Sequence, residues 1–522
     1  MPNVYLIGAG PGDPGLLTLK AKHVLETADV VVYDYLANKA FLDFRRPDAE
    51  VIYVGKKGGD HTLSQGEINK LLVAKAREGK VVARLKGGDP YVFGRGAEEA
   101  EELLADGLTF EVIPGVTSAV AAPAYAGIPI THRRFASSVS FITGHEDPAK
   151  DDSAHNWPAL AQAASTLVFF MGVKNLADIS RRLIEGGRNP KTPAALVRWG
   201  TTCRHRSMVS TLEDIPREAK EQGFKAPSLL VVGEVVGLHD KLNWFEKRPL
   251  LGKGVVVTRS REQASDLVRL LTDMGACTWE YPTIEVAPLA DTTPVRQALD
   301  RLACFDWLVF TSVNGVKHFW HELTAMNKDA RALGGLMVAA IGPATAQALA
   351  ERGVKADFVP DKYVAEAVVE GLLALQIGGK KVLIPRAAQA RDVLPDELLR
   401  AGAAVEVLPV YETHLAEQDP DEVVAAIEEG EIHFLTFTSS STVDNFFKMV
   451  APGRLAPLRE KVKIACIGPI TAATLGKHGF TPDIQPESYT IPALAEALVQ
   501  CATAAMGVAG ADHSAGGSTS ES

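Results

Sequence analysis

Four apolar runs near the start of the chain do not alternate with polar residues: Val4-Tyr5-Leu6-Ile7, Val30-Val31-Val32-Tyr33, Val51-Ile52-Tyr53-Val54 and Val81-Val82-Ala83. A strand with one wet face alternates. A strand that stays apolar throughout is buried on both faces, as in a parallel sheet covered by crossover helices. Each run also ends in glycines or charge: Gly8-Ala9-Gly10-Pro11-Gly12-Asp13, then Asp34, then Gly55-Lys56-Lys57-Gly58-Gly59, then Arg84-Leu85-Lys86-Gly87-Gly88-Asp89. Between the first two runs, Thr18 can cap a helix on which Leu19, Ala21, Val24 and Leu25 recur at helical spacing. The pattern demands an α/β fold with its ligand at the carboxyl ends of the strands.

Residues 84–96 are the densest such loop, with two glycines, the acid Asp89 and the strand-stopping Pro90 among Arg84, Lys86 and Arg95. A ligand loop and a turn that needs glycine geometry both fit it. The first loop resembles a dinucleotide fingerprint but departs from it. Asp13 stands where the third glycine belongs, and Pro11 removes an amide that could face phosphate. An acid there repels pyrophosphate, so the ligand should carry none. Asp34 and Lys56, at strand ends, are candidates for proton transfer, or else a helix cap and a solvated loop lysine. Farther on, Pro114-Gly115 forces a turn, Thr117 and Ser118 offer hydroxyls at a helix start, and Met171 ends the strand at residues 167–170.

The charge is uneven. Residues 1–250 carry 31 Lys+Arg against 30 Asp+Glu, and residues 251–522 carry 23 against 34. That speaks for two units and against a nucleic-acid binder. The five cysteines are far apart with no CxxC pair, so neither disulfides nor a metal site are expected, and a cytoplasmic location is. No apolar run approaches membrane-spanning length.

The second half repeats itself. Val257-Thr258-Arg259 pairs with Ile384-Pro385-Arg386, Phe310-Thr311-Ser312 with Phe437-Thr438-Ser439, and Ile341-Gly342-Pro343 with Ile467-Gly468-Pro469. The period is too long for a solenoid and predicts two similar α/β lobes. Thr311, Ser312, Thr438 and Ser439 would face the crevice between lobes and bind substrate, or would cap helices. His318 and His321 read as ordinary packing. Residues 503–522 are rich in Ala, Gly and Ser and are expected to be disordered.

Together the blocks of residues 2–245 resemble uroporphyrinogen-III C-methyltransferase, of the tetrapyrrole methylase family, and residues 250–500 are similar to uroporphyrinogen-III synthase. The first resemblance implies two α/β/α subdomains binding S-adenosyl-L-methionine, in a homodimer formed through this half. Pro11, Gly87, Gly88, Asp89, Val92, Thr117, Ser118, Met171 and Gly200 match the family's cofactor contacts, and Asp34 and Lys56 its proton acceptor and donor. The cofactor is a sulfonium without phosphate, which suits a glycine loop bearing acids. Arg45, Arg46, Lys57, Arg133 and Arg134 could dock a polycarboxylate tetrapyrrole, or the exposed ones could be a solvated surface. The second resemblance implies a two-lobed fold joined by strands near 285–290 and 408–414, with Tyr411 assisting departure of a hydroxyl or packing at the hinge. The expected domains are 1–245, a linker at 246–251, and 252–502, with lobe one at 252–286 plus 415–502 and lobe two at 288–408. The implied activities are closure of hydroxymethylbilane to uroporphyrinogen III and its double methylation to precorrin-2, toward siroheme or cobalamin. With no dehydrogenase or chelatase module ahead of Met1, the chain is expected to stop there. The alternative is a methylase of another tetrapyrrole carrying a non-catalytic binding module.

Overall fold

The computed structural model describes residues 2–55, 63–144, 155–259, 261–360, 365–390 and 392–511, with backbone alone at 261–265, 365–367 and 505–511. It divides into two compact units. One is Met1–Val255 with Arg269–Thr278 and the C-terminal end from Leu498; the other is Val256–Val268 with Trp279–Ala497.

In the first unit, β1 (Val4–Gly8), β2 (Val30–Tyr33), β3 (Glu50–Tyr53), β4 (Val82–Lys86) and β5 (Phe110–Ile113) form a parallel sheet in the order β3-β2-β4-β1-β5. Alternate side chains feed two cores. Val4, Leu6, Val30, Val32 and Val82 pack on one face with Ile68, Leu72, Ala100 and Leu103 of helices Gln65–Arg77 and Gly96–Ala105. Ile7, Val31, Ala83 and Leu85 pack on the other with Ala21, Val24 and Leu25 of helix Leu19–Thr27. Thr18 caps that helix, its hydroxyl accepting from Ala21 N at 3.2 Å. Neighbouring strands β1 and β4 therefore lead to helices on opposite faces, which opens a crevice at their carboxyl ends.

A second sheet holds β6 (Val139–Thr143), β7 (Thr166–Phe170), β8 (Pro193–Arg198), β9 (Arg206–Thr211) and β10 (Ser228–Val232) in the order β6-β7-β10-β8-β9. Its β6–β7 pair is parallel and the others antiparallel.

The segment after β10 is packed. His239 Nδ1 lies 2.6 Å from Ala126 O, Trp244 Nε1 donates to Ala124 O at 3.2 Å, and Phe245 is buried. Burial works to raise the Glu246 carboxyl, but hydrogen bonds from His205, Ser207 and Asn243 outweigh it and bring the group to about 2.

Contrary to expectation, the chain carries a disulfide. Cys203 and Cys277, 74 residues apart, are bonded. Sequence distance misleads because the segment at 250–253 runs beside both: Gly252 N donates to Cys203 O at 3.0 Å and Cys277 N to Lys253 O at 2.9 Å. Titration of the denatured chain should find three thiols (Cys304, Cys466, Cys501) before reduction and five after. Cys203→Ser should cost roughly 2–4 kcal/mol in urea unfolding. Five thiols without reductant would contradict the bond.

The strands that follow are β11 (Gly254–Val257), β12 (Cys277–Glu280), β13 (Ile284–Pro288), β14 (Trp307–Phe310), β15 (Met337–Ala340), β16 (Lys381–Ala387), β17 (Ala404–Leu415), β18 (Phe434–Phe437) and β19 (Lys463–Cys466). They make two sheets, β12-β11-β18-β19 and β13-β17-β16-β14-β15. Leaving β13 aside, the order is the same twice, β11 taking the place of β16 and β18 that of β14. Details repeat as well. Val338 N donates to Asp357 and Ile464 N to Asp483, both at 2.7 Å. Ser312 and Ser439 share one backbone geometry (φ −162°), as do Gly342 (φ −169°) and Gly468 (φ −170°). Antiparallel pairing of β13 with the long β17 joins the connecting segments.

The last helix, Ile491–Ala511, overrides the expectation of disorder from residue 503. Alanine is the best helix former, so an Ala-rich stretch continues a helix already begun. Residues 512–522 lie outside the described residues. Among the described residues no helix is long and apolar enough to cross a membrane.

Candidate active sites

At the carboxyl end of the first sheet, backbone replaces side chains. Ala9 N donates to Lys86 O at 2.8 Å. Gly10 and Gly88, both left-handed (φ 77° and 72°), exchange hydrogen bonds of 3.1 and 2.7 Å. A Cβ on Gly8 would stand 2.3 Å from Gly115 N, one on Gly115 2.3 Å from Gly88 O, and one on Gly87 2.7 Å from Leu36 Cβ. The loops after β1, β4 and β5 thus meet with no room for a methyl group.

Asp89 locks this cradle. Its carboxylate accepts from Gly115 N at 3.1 Å and from Tyr91 N at 2.8 Å. It had been expected to hold the ligand directly; these bonds give it a structural task as well. Asp13 does similar work, accepting from Gly15 N at 2.7 Å and Tyr125 Oη at 2.6 Å. Burial first, then the Asp13 hydrogen bond, push the Tyr125 phenol well above its ordinary range. Thr201 Oγ1 accepts from Asp13 N at 3.2 Å, and Asn38 Nδ2 donates to the carbonyl of Gly12, next to Pro11. Thr117 caps helix Ser118–Tyr125, and Gly200 packs so closely on that helix that a Cβ would lie 2.2 Å from Ala122 Cβ.

Met171 follows β7 directly, half exposed and left-handed (φ 56°). Five of the seven left-handed non-glycine residues among the described residues stand in these loops: Phe93, Arg95, Met171, Trp199 and Thr201. Such backbone costs energy and gathers at functional sites. Aromatic contacts link the two sheets' loops: Phe93 with Phe170 at 4.9 Å between ring centroids, beside the half-buried Val92, and Tyr35 with Trp199 at 5.9 Å.

Asp34 follows β2 directly. One carboxylate oxygen accepts from Leu36 N at 3.1 Å, the other from Arg84 Nη2 at 3.1 Å. Lys56 and Lys57 lie outside the described residues. Arg46 pairs with Asp29 and Asp48 at the surface, and Arg45 Nη1 donates to Leu42 O at 2.8 Å. Arg133 and Arg134 are exposed.

Sequence reasoning missed the buried partner of Arg84. Arg84 and Lys86, two apart on a strand, share the face covered by helix Gly96–Ala105, where Glu99 receives both at 3.2 and 2.6 Å. Two cations on one face of a doubly buried strand were the available signal.

In the second unit, Thr311 and Ser312 follow β14. Ser312 Oγ accepts from Gly315 N at 2.9 Å, capping helix Val313–Ala325, and lies 3.2 Å from the hydroxyl of the buried Tyr411. His318 stacks on Tyr411 with 5.3 Å between ring centroids, the packing against an aromatic expected of it. Thr438 and Ser439 follow β18, and Ser439 closes a capping box with Thr442. Both serines therefore cap helices, and Ser312 also reaches the candidate tyrosine.

Residues 3–216 match the model of the tetrapyrrole (corrin/porphyrin) methylases, and residues 265–496 that of uroporphyrinogen-III synthase HemD. The porphyrin biosynthesis protein HemD of Ruminiclostridium josui is 38% identical over 95% of this chain and 97% of its own length. The S-adenosyl-L-methionine-dependent uroporphyrinogen III methyltransferase of Methanosarcina barkeri is 56% identical over 46% of this chain and 94% of its own. Among solved structures, uroporphyrin-III C-methyl transferase of Thermus thermophilus, complexed with S-adenyl homocysteine, matches with 40% identity. The match covers 45% of this chain and 99% of that one, at a TM-score of 0.39.

Proposed function

Since the chain belongs to the tetrapyrrole methylases in its first half and to the uroporphyrinogen-III synthases in its second, we propose how its residues divide the two reactions. It is a bifunctional enzyme. The second half closes hydroxymethylbilane to uroporphyrinogen III, and the first transfers methyl groups to that product, giving precorrin-2.

The glycine cradle is the observation that carries the methylase assignment. It suits S-adenosyl-L-methionine, which needs close backbone approach and no phosphate site. Gly87, Gly88, Thr117, Ser118 and Gly200 would hold it with backbone and hydroxyl groups, Pro11, Val92 and Met171 with apolar contact, and Asp89 by fixing the loops. The bound sulfonium supplies an activated methyl group. The protein's remaining tasks are to orient the pyrrole carbon and to accept a proton, which we assign to Asp34, with Lys56 as donor. Arg133 and Arg134, both exposed, would meet substrate carboxylates. Given uroporphyrinogen III and S-adenosyl-L-methionine, the chain should form a dimethylated product; none would overturn the methylase assignment.

In the second half, Thr311, Ser312, Thr438 and Ser439 would line the substrate crevice of lobes 252–286 plus 415–502 and 288–408. Tyr411, its hydroxyl set by Ser312 and its ring by His318, would assist loss of the hydroxyl. Tyr411→Phe should slow closure of hydroxymethylbilane roughly 10²-fold and leave methylation of supplied uroporphyrinogen III at its normal rate; equal closure rates would return Tyr411 to packing. A homodimer through the first half completes the reading; the Cys203–Cys277 bond removes the cysteine argument for a cytoplasmic location.

A further inference from the structure

Four charges stand in line beneath the methylase site: Lys86, Glu99, Arg84 and Asp34. Glu99 is fully buried, and Arg84 and Lys86 are 2% and 4% exposed. Glu99 Oε1 accepts from Lys86 Nζ at 2.6 Å, Gln65 Nε2 at 3.1 Å and Arg84 Nε at 3.2 Å, while its Oε2 is buried without a hydrogen-bond partner. The same sheet face is otherwise filled by Val4, Leu6, Val30, Val32 and Val82. Replacing a buried charge network by well-packed apolar residues is often neutral or stabilising, because desolvating the charges offsets their attraction. Stability alone therefore does not account for the network.

Geometry does. Arg84 spends Nε on Glu99, Nη1 on Leu85 O at 3.1 Å and Nη2 on Asp34 Oδ2, so its guanidinium plane is fixed from three sides. The other Asp34 oxygen is held by Leu36 N. We propose that Glu99 and Arg84 are positioning residues for methyl transfer: Glu99 sets the plane of Arg84, and Arg84 sets the carboxylate of Asp34. Burial first, then the neighbouring Arg84, lower the Lys86 ammonium below the usual lysine range, with Glu99 opposing both, so Glu99 also keeps the second cation in place. The inference rests on Asp34 being the proton acceptor.

A double-mutant cycle on the full-length chain tests it, reading kcat for methylation of uroporphyrinogen III and the Kd of S-adenosyl-L-methionine by calorimetry. Glu99→Gln should lower kcat about tenfold with Kd within about twofold, and should add nothing in an Asp34→Asn background. Arg84→Lys keeps the charge but cannot reach both carboxylates, and should behave alike. If Glu99→Gln fails to fold, the Arg84→Lys cycle decides. An equal loss in both backgrounds, a loss confined to Kd, or an unchanged kcat overturns the positioning role. If instead Asp34→Asn itself methylates at the normal rate, the assignment of Asp34 falls first, and the two failures are told apart.

Discussion

Gly115→Ala is expected to abolish cofactor binding while sparing the synthase reaction. The new Cβ would lie 2.3 Å from Gly88 O and 2.7 Å from Gly8 C and Cα. Non-bonded carbons settle at roughly 3.5–4.0 Å, so each contact is short by an ångström or more. None of the obstacles is a side chain that could swing away, and Gly115 is not among the left-handed glycines, so the clash alone acts. Relief must come from parting the loops after β1, β4 and β5, which breaks the Gly115 N to Asp89 bond and disturbs the Gly10–Gly88 pair. Losing two backbone contacts to the cofactor at about 1.4 kcal/mol each costs on the order of 10²-fold in affinity. Calorimetric titration should show S-adenosyl-L-methionine affinity down at least that much, with uroporphyrinogen III still formed from hydroxymethylbilane. An affinity within twofold of the parent would show that the cradle is not the binding site.

Asp34→Asn should strike the chemical step instead. Asparagine can still accept from Leu36 N, but it has no charge for Arg84 and no capacity to take a proton at neutral pH. Loss of a positioned acid–base group costs about 10²–10⁴ in rate. Turnover should fall by that much with cofactor affinity within about twofold. Because Asp34 keeps 27% of its side chain exposed, the stability loss should stay near 1–2 kcal/mol, below the roughly 3–5 kcal/mol of a fully buried broken pair. The two variants separate binding from turnover: Gly115 removes the first, Asp34 the second.

How much of this was legible depends on what kind of force wrote it. The unbroken apolar runs pointed to strands buried on both faces, as in a covered parallel sheet, and β1, β2 and β4 pair as parallel neighbours. The two lobes were legible because Phe-Thr-Ser and Gly-Pro recur in matching order, and the structure repeats strand order and even dihedral angles at those places. Tertiary proximity was not legible. Glu99 looks like one more acid in Glu98-Glu99 until helix Gly96–Ala105 lies over β4, and Cys203 and Cys277 looked too distant to pair until the chain at 250–253 ran beside both. Backbone strain leaves no mark either: Met171, Trp199 and Thr201 hold angles that composition would assign to glycine. Charge alone does not show which cations already have partners: Arg46 pairs with Asp29 and Asp48.

The central claim is that one chain both makes uroporphyrinogen III and methylates it. The direct measurement gives the purified full-length protein hydroxymethylbilane, with and without S-adenosyl-L-methionine, and identifies the tetrapyrroles by mass and isomer analysis. Without the methyl donor the product should be uroporphyrinogen III, and with it the dimethylated precorrin-2. The account is contradicted if the type I isomer that forms without enzyme is all that appears, or if the type III isomer accumulates unmethylated when the donor is present.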